Sequence, residues 1–100
     1  MTERKTKIAL VQLACSQDRA QNLKKGLARL EEAAQNGAQV VVFPELSFLP
    51  FLPQHPAEPG FEGWAEPVPG PTTDILARKA ADLGVVVIFN LLEIRDGKTY

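Results

Sequence analysis

The chain has 100 residues, 45% of them apolar, and a net charge of -1 at pH 7, which suits one small globular domain rather than a disordered segment. No Lys or Arg lies between Arg29 and Arg78, so the clustered basic side chains that track phosphates are not provided and nucleic acid is not expected as a partner. Cys15 is the single cysteine; it excludes an intrachain disulfide and fits a reducing compartment.

Residues 1–7 are basic and residues 8–14 apolar, ending at Ala14-Cys15 in the manner of a crude lipoprotein signal. The apolar stretch is at the lower limit of about 7–15 residues for a signal core, and Gln12 interrupts it. No run approaches the roughly 18 apolar residues of a membrane span, so a soluble cytoplasmic protein without a membrane partner is expected.

Residues 8–14 are apolar on both alternating faces and predict a strand covered on both sides. Ser16, Gln17 and Asp18 offer N-cap candidates, and Leu23, Leu27, Leu30 and Ala34 then recur at helical spacing up to a stop at Asn36-Gly37. The β-branched run Val40-Val41-Val42-Phe43, halted by Pro44, predicts a second buried strand. Strand, helix and strand with short joints form a right-handed parallel βαβ unit.

All eight prolines fall between Pro44 and Pro71, together with Phe48, Phe51, Phe61 and Trp64. Large apolar rings favour packing over the Gly/Ser composition of a flexible linker, so this is a long ordered loop of the kind that forms active-site walls or lids. Pro71 opens a second helix, with Thr72 or Thr73 as cap, Asp74 at the positive end of the dipole, and Gly84 as the stop. Residues 85–89 predict a third buried strand running on through Asn90 to about Ile94. Asp96-Gly97 is the signal of a type I′ hairpin turn. Lys98, Thr99 and Tyr100 supply only a short return arm, so residues 1–100 read as one domain's N-terminal part, cut in a hairpin and prone to association as a homo-oligomer.

Glu45 directly follows a buried strand at the carboxyl edge of a parallel sheet, where open α/β sheets bind ligands. Phe43, Leu46 and Phe48 around it predict a partly desolvated carboxylate, which favours general-base chemistry. On those grounds alone, a solvated glutamate beginning a loop is an equal reading.

The segment Val40-Val41-Val42-Phe43-Pro44-Glu45-Leu46 resembles the strand-and-glutamate motif of the nitrilase superfamily of carbon-nitrogen hydrolases. Residues 8–12 resemble that family's first strand, Asp18 and Asn22-Leu23 the opening of its first helix, and Gly37-Ala38 the turn before its glutamate strand. Pro69-Gly70-Pro71-Thr72-Thr73 and Leu83-Gly84-Val85-Val86-Val87 match the later Gly-Pro stretch and strand. Pro50-Phe51 departs from the Gly-Tyr pair of many members, and the substrate is left open. The resemblance implies an α/β fold of the α-β-β-α sandwich type and a glutamate-lysine-cysteine triad in which Glu45 is the glutamate. It also implies a small-molecule amide, carbamoyl or nitrile substrate, and no cofactor or metal. The family's lysine and cysteine lie beyond Tyr100, so this chain alone is expected to be inactive.

Cys15 does not match the position of the family's nucleophile and has no visible electropositive setting, so a small half-buried thiol is the preferred reading. Lys98 reads as a solvated turn charge, and His55 as a plain loop histidine without ligand partners at metal spacing. Asn90 interrupts an apolar strand and must find hydrogen-bond partners, which favours a structural role over substrate contact. The rings of Trp64 and the loop phenylalanines read as core or interface. Two rivals remain: a doubly wound α/β binding domain, disfavoured by the lack of a Gly-rich phosphate loop, and a non-catalytic interaction fragment.

Overall fold

In the computed structural model, which describes residues 4–49 and 61–100, the apolar runs find their backbone partners in a parallel ladder. Strands β1 (Ile8–Leu10), β2 (Val40–Val42) and β3 (Val86–Ile88) form one sheet in that order. Helices α1 (Arg19–Gln35) and α2 (Pro71–Leu83) cross between them, and a 3₁₀ turn spans Phe61–Trp64. A second ladder, antiparallel, joins β4 (Ile94–Arg95) to β5 (Lys98–Thr99). Among the described residues the chain is α/β, with a parallel sheet and two α-helices. Among the described residues no helix is long and apolar enough to cross a membrane.

Register explains where the core sits. Ala9, Val41 and Val87 are mutual partners across the sheet, and all three pack into the cluster containing Leu30 of α1 and Leu76 of α2. Full burial of a side chain such as Leu30, Leu76 or Val41 contributes about 1.5–3 kcal/mol. The neighbouring rows, Ile8–Val40–Val86 and Leu10–Val42–Ile88, point the other way, and Leu10 is 79% and Val86 58% exposed. Of the two covered faces expected for the strands, the helices of this chain serve one only.

Helix α1 starts where expected, with the Asp18 carboxylate accepting from Gln21 N at 3.1 Å. Its buried line is Asn22, Gly26 and Leu30, with Leu23 and Leu27 on the flank. Glycine at position 26 is a packing requirement, because a β-carbon there would overlap the Phe48 ring. Helix α2 takes one of its predicted caps, Thr73, whose hydroxyl oxygen accepts from Gly70 N at 2.6 Å from within the first turn. The helix begins at Pro71, which places Thr72 and Thr73 inside the first turn rather than before it. The acceptor for the free Thr72 N–H is the Glu66 carboxylate at 2.7 Å, whose other oxygen takes the Thr72 hydroxyl at 2.7 Å. A negative group at this end also suits the helix dipole.

The long third strand also divides. β3 stops at Ile88, and the backbone is not in the ladder again until Glu93 bridges Glu66 and β4 begins. Asn90 is the cause, since its polar groups turn aside to the loop after β2. The Asp96-Gly97 turn is as predicted, with φ of 53° and 75° at its two central residues.

Candidate functional site

Three chain segments leave the carboxyl ends of the parallel strands close together, and they meet around the turn that carries Glu45. The ladder extends past β2, with Phe43 N donating to Ile88 O at 2.9 Å, and the backbone then folds into the turn beginning at Glu45. Leu46 adopts φ of +47°, the left-handed region, which costs a branched residue about 1–2 kcal/mol. Such a conformation persists only when its surroundings impose it.

Those surroundings are specific. Leu46 N donates to Asn90 Oδ1 at 3.0 Å, and Ser47 N donates to Asn90 O at 3.0 Å. Asn90 N donates in return to Ser47 Oγ at 3.1 Å, while the Ser47 hydroxyl donates to Pro44 O at 2.7 Å. From the side of β1, Cys15 Sγ donates to Ser47 O at 3.4 Å. Beneath the turn, Asn22 is fully buried and gives one amide hydrogen to Phe48 O at 2.9 Å and another to Ser16 O at 2.8 Å. Its oxygen accepts from Ser16 N at 2.8 Å, so donors and acceptor are all used. The Phe48 ring packs below, 5.4 Å from Phe43 and 6.3 Å from Phe89 between ring centroids.

Glu45 itself is exposed, and the expected partial desolvation is corrected: Phe43 and Phe48 turn their rings into the helix-side core instead of toward the carboxylate. What the fold provides for Glu45 is a fixed backbone, not an apolar wall. Ser47, Asn22 and Glu66 were not singled out as structural clamps by sequence reasoning. Asn22 alone left a signal, since it falls four and eight residues before Gly26 and Leu30 on one helical line.

The other candidates separate. Lys98 lies on the exposed hairpin and is not brought to this turn. Trp64 is half-buried under the Arg19 guanidinium, 5.0 Å from its ring, and Arg19 also donates to Gly63 O at 2.8 Å. Both border an apolar cavity of about 380 Å³ that also touches Phe48, Glu66, Thr72 and Leu91. His55 and Phe51 lie outside the described residues.

Burial pushes the Cys15 thiol above the ordinary thiol range, and the nearby Lys25 ammonium offsets this only in part. Raised in the fold, this pKa contributes stability below the unfolded thiol's pKa that is lost as pH rises through the folded value. Cys15→Ser keeps a donor for Ser47 O, so the complete protein should retain its turnover and lose less stability on going to alkaline pH. Rates and thermal melts at neutral and alkaline pH check this; abolished turnover in a folded Cys15→Ser protein would place the thiol in the chemistry.

Set against known proteins, residues 7–100 match the carbon-nitrogen hydrolase family. The chain is 34% identical over 97 residues to omega-amidase NIT2-B of Xenopus laevis, covering 96% of this chain and 33% of that protein. Omega-amidase NIT2 of Danio rerio is 33% identical over 93 residues, covering 93% and 32%. Hydrolase C26A3.11 of Schizosaccharomyces pombe is 33% identical over 97 residues, covering 94% and 29%. The chain belongs to the carbon-nitrogen hydrolase family, within the nitrilase superfamily, and matches it as an N-terminal portion. It spans about a third of the length of these curated relatives.

Proposed function

We propose that residues 1–100 are the N-terminal part of a single hydrolase domain, and that the complete protein cleaves non-peptide carbon-nitrogen bonds with Glu45 as general base. The observation that carries this reading is the clamped turn that presents Glu45 at the carboxyl edge of the parallel sheet, in a chain of this family. The open apolar face of Ile8, Leu10, Val86 and Ile88 supports the sandwich arrangement, in which a second sheet covers it. A free Cys15 is in keeping with a cytoplasmic setting.

In this mechanism Glu45 takes the proton of a cysteine thiol as the sulfur attacks the substrate carbon. A lysine ammonium stabilises the oxygen that becomes negative, or the nitrogen anion in the nitrile case. For an amide, Glu45 hands its proton to the departing amine, and ammonia leaves a thioester. The same carboxylate then draws a proton from water, which hydrolyses the thioester to the acid and restores the thiol. The lysine and cysteine are supplied by the rest of the protein. Among amide, carbamoyl and nitrile substrates, the likeness to omega-amidases favours an amide.

The test is ammonia release by the purified complete protein from a panel of primary amides, carbamoyl compounds and nitriles, with the 100-residue chain in parallel. Turnover is expected of the complete protein, fastest on an amide, and none of the chain alone. Failure of the complete, folded protein on all three classes would remove the hydrolase reading.

A further inference from the structure

We infer that Asn90 is a positioning residue for Glu45, an inference that rests on the general-base reading above. Its side-chain oxygen receives the N–H of Leu46, the residue directly after Glu45 and the one held at φ +47°. The other clamps act further along: Cys15 on Ser47 O and Asn22 on Phe48 O. Asn90's two backbone bonds also end on Ser47. Loss of the Asn90 side chain therefore leaves the base of the turn attached and frees the peptide that sets the direction of the Glu45 side chain.

This arrangement also accounts for the residue type. Position 90 must leave the ladder after β3 and offer an acceptor to a neighbouring loop; the side-chain oxygen of an amide does both. Residues 45 and 90 follow the ends of adjacent parallel strands, β2 and β3, whose register brings both to one edge of the sheet. Asn90 touches the turn and not the reacting atoms, so its effect passes through Glu45.

The experiment uses the complete protein. Asn90→Ala removes the acceptor and should lower kcat about 10- to 100-fold, the scale for a catalytic group displaced by around 1 Å, with KM changed less than about threefold. Asn90→Asp retains an oxygen for Leu46 N and should recover most of that kcat. In the Glu45→Gln background, Asn90→Ala should cause no further loss, because the group it positions is already gone. Asn90→Ser, too short to reach Leu46, is the second variant should Asn90→Ala fail to fold. Unchanged kcat in a folded Ala or Ser variant, an Asp variant no better than Ala, or a further multiplicative loss in the double variant would each overturn the inference. Collapse of both the Ala and Ser variants would make Asn90 structural and overturn it too. Full activity of Glu45→Gln alone would instead sink the general-base reading, which separates the two failures.

Discussion

Glu45→Gln in the complete protein should lower turnover by roughly 10²–10⁴-fold, the usual range for losing a general base, while its thermal midpoint stays near that of the parent. Glutamine matches the carboxylate in size, and position 45 is exposed, so neither the Phe43–Phe48 packing below nor the Asn90 bonds to the turn are disturbed. The amide cannot accept the thiol proton or activate water, so acylation and deacylation both suffer. A solvated glutamate with no chemical role predicts the opposite pattern, little change in rate and within about 0.5 kcal/mol in stability. Steady-state rates and a melt of this variant separate the two outcomes, and near-normal turnover in a folded protein would end the assignment.

Asn22→Asp should be the most damaging isosteric change among the described residues discussed above. The amide is fully buried and spends both hydrogens on the carbonyls of Phe48 and Ser16. A carboxylate there would face two carbonyl oxygens with nothing to donate and no counter-charge, a situation that costs about 3–5 kcal/mol when a buried charge is left uncompensated. Burial raises the pKa of the new carboxyl above its unfolded value. The loss should therefore be smallest at acid pH, where the group is protonated and can donate once, and grow as pH rises through that value. Chemical denaturation at pH 5 and pH 8 measures this; equal stability to the parent at pH 8 would show that the amide does not hold α1 to the glutamate turn.

Glu45 and the Asn90 that holds its turn differ in how they could be found. Glu45 was legible because its neighbours are a short β-branched run and a proline, a local pattern that places it at a strand end. The αL stops at Gly37 and Gly84, the Asp18 cap and the hairpin at Asp96-Gly97 were legible for the same reason, since each depends on the φ or hydrogen-bonding capacity of one or two adjacent residues. Asn90 was recognised as a polar break needing partners, but which partners could not be read from positions 85–94. They lie 43 and 44 residues away, on Ser47 and Leu46.

The sequence by itself determined the element types, their order and the parallel βαβ character, because hydrophobic period and turn chemistry are short-range properties of the chain. Tertiary structure alone decided which face of the sheet the helices cover and that the Glu66 carboxylate joins Thr73 in capping α2. It also decided that Glu45 stands exposed on a turn clamped by Asn90, Asn22 and Cys15. Each of those outcomes depends on contacts between residues far apart in sequence, whose energies exist only once the strands have aligned.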